Sequence, residues 1–247
     1  MDAWGYDWEA FTVTTDDSYI LTTFHLTGNK NKTVKPDPSL NPVLLMHGQG
    51  CDATSWVWFD PDEGKDVEAP LPLQLFDSGF DVYMASNRGT KYSQRHRKYD
   101  IEEPEYWDWS WAEMGLYDDV ANVKMIKKRT GKKVSYVGVS QGTVQMFYAL
   151  AKMEEEFFAD NLFTFAALDP CTIQSDEGQR IYKEGLFHFK DYGIMAFNGP
   201  NWKKDRETIC TNFDKEICDY ADGYAGGEPI ALNVNVHWAQ NVVVNRF

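Results

Sequence analysis

One stretch constrains the fold more than any other: "KVSYVGVSQGTVQMFYAL", residues 133–150. An apolar run, "KVSYVGV", reads as a buried strand. It meets Gly138-Val139-Ser140-Gln141-Gly142, where glycine, serine and glycine alternate. A helical pattern, "QGTVQMFYALAKMEEEF", follows at once. A strand that turns sharply into a helix at a serine forces that serine into a strained backbone conformation. Side chains two positions away on either side would collide, so glycine is needed at both. The new helix also aims its free N–H groups back at the turn, which favours negative charge there. Ser140 is therefore a candidate nucleophile, and the backbone N–H of Gln141 a candidate oxyanion donor. The bland reading of the same residues is a glycine-rich turn in a nucleotide-type α/β domain.

The rest of the chain supplies a setting for such a turn. "AFTVTT" and "YILTTFHL", separated by Asp16-Asp17-Ser18, read as a hairpin. "PVLLMHG" reads as a buried strand that leaves through "HGQG", His47 to Gly50. Gln49 there is a candidate for the second backbone oxyanion donor, and His47 reads as structural. "LPLQLFDSG" reads as a short helix stopped by Gly79, and "FDVYMAS" as the next strand. Residues 110–131 form the clearest helical pattern, with Ser110 able to cap it and Gly131 able to end it. "LFTFAAL" is a further buried strand. Apolar strands alternating with helices predict an α/β fold with a mostly parallel sheet covered on both faces. After Asp169-Pro170 the alternation is lost. The chain divides on this reading into a core, 1–170, and a cap or lid, 171–247.

Composition narrows the function. The 247 residues, 43% of them hydrophobic, suffice for one domain with an inserted subdomain. A net charge of −14 without a basic stripe argues against a nucleic-acid partner. The scattered histidines match no zinc spacing, and no cofactor or metal is implied. The opening, "MDAWGYDWEAF", lacks the pattern of a signal peptide, so an intracellular setting and a removed leader are both open. Cys210 and Cys218 are close enough in sequence to close a small loop. Asn31-Lys32-Thr33 is a glycosylation sequon in a polar loop. The aromatic cluster "EYWDWSWAEM" reads as packing around a helix start, and the aromatic region 185–202 reads equally as a lid or as plain cap surface.

Several of these stretches resemble the acid lipases, the gastric and lysosomal enzymes of the α/β-hydrolase fold. "WGYDWEAFTVTTDDSYILTTFHL" is similar to that family's opening, "PVLLMHG" to its oxyanion strand and "SNRGTKYSQRH" to its "NSRG" segment. "YWDWSWAEMGLYDD" resembles its aromatic–acidic signature, and "YVGVSQGT" its elbow. "NVNVHWAQNVVVNRF" resembles the end of its cap. The resemblance implies hydrolysis of lipid carboxylic esters (triglyceride or sterol ester) through an acyl-enzyme on Ser140, with Gln49 and Gln141 as oxyanion donors. It implies a disulfide between Cys210 and Cys218 and a lysosomal or secreted setting. Val139 departs from the family, which has histidine there. Gln49 and Gly50 also depart, standing where the family has two apolar residues, which makes the mouth of the site more polar.

The family's catalytic aspartate and histidine follow the cap, and this sequence stops at Phe247, where the cap ends. Three readings follow. A missing segment or partner chain supplies the two residues and covers the edge of the sheet. Alternatively, the chain is a catalytically silent lipase-like subunit of a larger assembly. In the third, the triad is rebuilt from Asp169, in "LDPC", with His237 or His188 as base.

Overall fold

A computed structural model describes residues 1–29, 33–58, 68–172 and 185–244. The Asn31 sequon lies outside the described residues. The first two strands, β1 (Asp7–Thr14) and β2 (Tyr19–Gly28), form the expected antiparallel hairpin. β3 (Val43–Met46), β4 (Val82–Ser86), β6 (Val134–Val139) and β7 (Leu162–Leu168) continue the sheet in the order β1-β2-β4-β3-β6-β7. A two-residue β5 (Arg95–His96) pairs with β2. β2 meets β4 antiparallel, and from β4 onward all pairs are parallel.

β3 is apolar throughout because the sheet is covered on both sides. Val43 and Leu45 join Leu73 and Phe76 of α1 (Leu71–Asp77) on one face. Leu44 and Met46 join Val123, Ile126 and Met146 on the other. α1 ends in a turn through Gly79, whose φ of 90° suits a residue without a Cβ.

The helical region 110–131 starts and stops as its sequence indicates. Ser110 and Glu113 form a reciprocal capping box, and Gly131 closes the end in a left-handed conformation with φ 72°. Its middle is different. After α2 (Trp111–Glu113) comes a π-helical turn, Met114–Asp119, and only then α3 (Val120–Thr130). Gly115 in this turn lies against the Gln145 backbone, where a Cβ would overlap the carbonyl oxygen. The wide turn thus packs backbone to backbone on the helix that follows Ser140.

That helix, α4 (Gln141–Lys152), does not run on to Phe157 as its pattern suggests. Met153 and Glu154 are extended, and α5 (Glu155–Asn161) starts afresh. The bend lets Phe157 and Phe158 reach the same apolar cluster as Tyr136 and Met146.

Residues 185–244 form a helical layer with its own apolar cluster, which includes Phe189, Phe197, Ile209 and Ile217. It holds α6 (Trp202–Asn212), α7 (Lys215–Asp222) and α8 (Leu232–Val244), with a small antiparallel pair, β8 (Ala196–Phe197) and β9 (Ile230–Ala231). A disulfide joins Cys210 to Cys218, tying α6 to α7. The "NVVV" stretch, the one late segment with strand character in sequence, is helical and belongs to α8.

β7 ends the sheet. Among the described residues it pairs with β6 alone. Unlike the wholly buried β3 and β4, it leaves Phe163 62% exposed and Leu168 38% exposed.

Candidate active site

Ser140 sits between β6 and α4 with φ 50° and ψ −119°, a conformation rare for a residue with a Cβ. The flanking glycines are sterically required. A Cβ on Gly138 would stand 2.5 Å from the Gly142 carbonyl oxygen. A Cβ on Gly142 would stand 2.7 Å from the Met46 carbonyl oxygen and 2.9 Å from that of His47. Packing therefore enforces the strained turn. The Ser140 N–H donates to the Leu168 carbonyl at 3.0 Å, and the Ser140 carbonyl accepts from the Thr143 hydroxyl at 2.6 Å.

The turn after β3 lies directly against this elbow. A Cβ on Gly48 would stand 3.2 Å from Ser140 Cβ and 3.7 Å from its Oγ, so glycine keeps the approach to the hydroxyl open. Among the described residues, neither the Gln49 nor the Gln141 backbone N–H has a hydrogen-bond acceptor within the chain. His47 is structural. It is buried, its Nδ1 bonds the Gly48 carbonyl at 2.7 Å, and its Nε2 accepts from the Asn87 N–H at 3.0 Å. Burial pushes its pKa below the usual imidazole range, which keeps it neutral with the proton on Nδ1. It clasps the turn after β3 to the loop after β4.

The cap closes over both turns. Gln49 Nε2 donates to Asn235 Oδ1 at 2.7 Å, and Trp238 Nε1 donates to Gln141 Oε1 at 3.2 Å. Asn235 and Trp238 stand three apart on α8, on one face. The Glu228 N–H donates to the Gly50 carbonyl at 3.1 Å. Each of the two candidate oxyanion donors, Gln49 and Gln141, therefore has its side chain held by α8.

The candidates for base and acid lie elsewhere. His237 stacks on the Trp111 ring at 3.8 Å between centroids, and its Nδ1 pairs with Ser110 Oγ at 3.0 Å. The Ser110 hydroxyl also contacts Glu113 Oε2 at 2.8 Å, which makes it part of the α2 capping box. Burial pushes the His237 pKa down, partly offset by Glu113. His188 is exposed and pairs with Asp191 at 3.4 Å. Asp169 follows β7 with φ 49°, on the surface. Among the described residues no hydrogen bond joins Ser140 to Asp169, His188 or His237. The side-chain partner of Ser140 Oγ is Cys171 Sγ at 3.7 Å. Among the described residues the rebuilt triad has no hydrogen bond to Ser140, and His237 is engaged with Ser110 and the Trp111 ring instead.

Three features escaped the sequence reading. Arg88, 1% exposed, makes three contacts of 2.6–2.9 Å to Asp118, two to Asp17, and lies over the Tyr19 ring at 4.0 Å. This network pins the loop after β4 to the π turn. Asp52, buried beside the turn after β3, meets Lys91 Nζ at 3.4 Å, and Lys91 also faces Glu228 of the cap. Burial opposes its ionisation, but Thr54 and Lys91 hold Asp52 below the usual carboxylate range, while burial pushes Glu228 up. The third is the pairing of Gln49 and Gln141 with α8. Charged letters in the first two segments were the available signal, but their partners are up to 137 positions away.

Comparison with known proteins gives a consistent answer. Residues 1–59 match the pattern of a partial α/β-hydrolase lipase region, and residues 41–160 match that of the α/β hydrolase fold. The chain is 36% identical to lipase member K of Mus musculus, over 97% of this chain and 65% of that protein. It is 30% identical to gastric triacylglycerol lipase of Rattus norvegicus, over 99% of this chain and 66% of the relative. It is 32% identical to lipase lipl-3 of Caenorhabditis elegans, over 89% of this chain and 55% of the relative. Among solved structures it is similar to an esterase of Pyrococcus furiosus, at 15% identity and a TM-score of 0.48, covering 77% of this chain and 58% of that one. The chain thus spans between half and two thirds of the length of these curated relatives. The two patterns together span residues 1–160, and with the lipase relatives they place the chain among the lipases of the α/β-hydrolase fold.

Proposed function

We propose that this chain is the nucleophile-bearing part of a serine hydrolase that cleaves lipid carboxylic esters, triglyceride or sterol ester. The backbone of Ser140 at φ 50° and ψ −119° carries the reading. Such strain persists only where the surroundings enforce it, and here two glycine contacts under 3 Å do so. In the reaction Ser140 Oγ attacks the ester carbonyl carbon and gives its proton to a base. Charge develops on the carbonyl oxygen, which accepts from the Gln49 and Gln141 N–H groups. The alcohol leaves with that proton, and water then releases the fatty acid from the acyl-enzyme.

The base and its aspartate come, on this proposal, from a segment or partner chain that adds to the β7 edge. Two observations support this. β7 is apolar and uncovered, and Ser140 Oγ contacts a thiol rather than an imidazole. A hydroxyl without a base stays protonated, and donors plus binding alone leave only about 10³–10⁴ in rate over water in the serine-protease template. A lysosomal or secreted setting is supported by the Cys210–Cys218 disulfide, a bond that persists in oxidising compartments.

An active-site-directed alkyl phosphonate tests the reading, with the labelled residue located by mass spectrometry. Labelling of Ser140 in the chain alone, or only after a segment carrying a late aspartate and histidine is added, supports it. Absence of label in both cases overturns it in favour of a catalytically silent subunit.

A further inference from the structure

Beneath the nucleophile elbow lies a buried chain of polar groups whose protons can be counted. Tyr136 Oη is 3.0 Å from Asp119 Oδ2 and 2.9 Å from the Gly142 carbonyl oxygen. Tyr136 and Asp119 are both 0% exposed. The phenol has one proton, and a carboxylate and a carbonyl are both acceptors. With Asp119 ionised, only one of the two contacts is a hydrogen bond. With Asp119 protonated, both are satisfied in sequence: Asp119 Oδ2–H donates to Tyr136 Oη, and Tyr136 Oη–H donates to the Gly142 carbonyl. Among the described residues, Asp119 Oδ1 has no hydrogen-bond partner. A buried carboxylate oxygen without a partner is costly, and a neutral acid avoids most of that cost.

Resting on the reading of Ser140 as nucleophile, we infer that Asp119 stands protonated and, through Tyr136, positions the Gly142 carbonyl beneath Ser140. Asp119 is thus a positioning residue of the elbow. Gly142 is the point of leverage because its peptide has no slack. Its oxygen bears on Gly138, and its Cα is wedged against the Met46 and His47 carbonyls. The hydrogen bond from Tyr136 holds that oxygen in place. The π turn delivers the carboxyl to this place, since Asp119 is its last residue and Gly115 anchors it to α4.

The groups facing Asp119 agree with a neutral acid. Burial is the largest influence and disfavours the charge, Tyr136 works the other way, and the Asp118 carboxylate adds repulsion. The Arg88 guanidinium is the nearby cation, but its contacts go to Asp118 and Asp17. It opposes the upward push of burial on the Asp118 carboxyl, and among the described residues no cation contacts Asp119.

Two measurements on the whole chain test this without any turnover. The infrared difference spectrum of wild type minus Asp119→Asn at neutral pH is expected to show a protonated-carboxyl band. Absence of that band overturns the proton assignment. Backbone amide exchange over residues 138–143 reads the positioning. Tyr136→Phe removes the donor to Gly142 and is expected to speed exchange about tenfold, the size of one buried hydrogen bond. Asp119→Asn keeps a donor toward Tyr136 and is expected to exchange like wild type, whereas Asp119→Leu leaves the phenol its proton for Gly142 but no partner to orient it, and is expected to exchange between wild type and Tyr136→Phe. A folded Tyr136→Phe chain with unchanged exchange, or an Asn variant as fast as the Leu variant, overturns the positioning role. An unreactive Ser140 alongside the band and the exchange pattern would sink the hydrolase reading alone.

Discussion

Gln49 Nε2 donates to Asn235 Oδ1 at 2.7 Å, so the turn after β3 and the cap helix α8 move as one body while that bond holds. Asn235 is 2% exposed, and its oxygen also accepts from the Tyr224 hydroxyl at 2.9 Å. Replacing Asn235 by leucine keeps the volume and removes the acceptor, which leaves the half-buried Gln49 amide without it. The expected loss is about 1–3 kcal/mol in denaturant unfolding. Gln49→Leu in the same chain removes the stranded donor, so the double variant is expected to lose less than the sum of the single ones. Strict additivity would show that the two side chains are not coupled.

The same bond marks the limit of what the sequence made legible. Ser140, Gly138 and Gly142 announce their geometry locally, because a strand, a strained residue and a helix follow one another within a few positions. The hairpin at Asp16–Ser18 and the ends of the 110–131 helix are legible for the same reason: a turn or a cap is a property of neighbours. Gln49 with Asn235 is a pairing across 186 positions, and nothing in either neighbourhood encodes it. The π turn was hidden because Met114, Tyr117, Val120 and Val123 fit a helical period, while its cause, the contact of Gly115 with Gln145, is tertiary. The break at Met153 was hidden in the same way. His237 looked available as a base because sequence order says nothing about its partners, Ser110 and the Trp111 ring.

Strain at Ser140 has a measurable sign. Ser140→Ala keeps a Cβ at φ 50°, whereas Ser140→Gly does not. A strained position of this kind stores about 1–3 kcal/mol, and the added freedom of an unfolded glycine returns about 0.5–1 kcal/mol. Ser140→Gly is therefore expected to be the more stable of the two by about 1 kcal/mol, read as a higher denaturation midpoint. A glycine variant less stable than the alanine one would mean that the turn is not strained. Gly142→Ala is expected to lose far more, since its Cβ would meet backbone oxygens under 3 Å away.

Asp205 and Glu228 are expected to lower stability as pH rises from acid toward neutral, while His47 and His237, whose pKa values burial depresses, act the other way in the same range. Burial pushes Asp205 up to about 6, against the opposing influence of Lys204, and burial also raises Glu228. A raised carboxyl pKa means that the folded state holds its proton more tightly than the unfolded chain does. The stabilisation is fully present below the ordinary carboxylate pKa of about 4 and is lost as pH climbs through the folded value. Asp37, lowered by the Ser39 backbone and hydroxyl, and Asp222, lowered by Arg206, act with the opposite sign below that range. Thermal midpoints at about pH 4.5 and pH 7 read the first effect. Asp205→Asn is expected to remove the Asp205 share of that difference, and an unchanged slope in that variant would remove Asp205 as a source.

The β7 edge gives the last prediction. An apolar edge strand with free N–H and C=O groups is a template for pairing with another chain. Here Phe163 and Leu168 add exposed side chains to those groups, on a strand that among the described residues is bonded to β6 alone. If a further segment normally covers this edge, the chain by itself should pair β7 with a second copy. Sedimentation velocity is expected to show dimers or larger species that grow with concentration. Phe163→Lys is expected to shift them toward monomer, because a charge at an edge opposes strand addition without touching the buried core. The elbow is left intact, so the variant also separates the two roles of the region. Self-association should fall, while phosphonate labelling restored by an added segment should weaken in parallel if that segment docks on the same edge. A monodisperse wild-type chain would count against the uncovered edge as a docking strand, and with it against the supply of base and acid from that side.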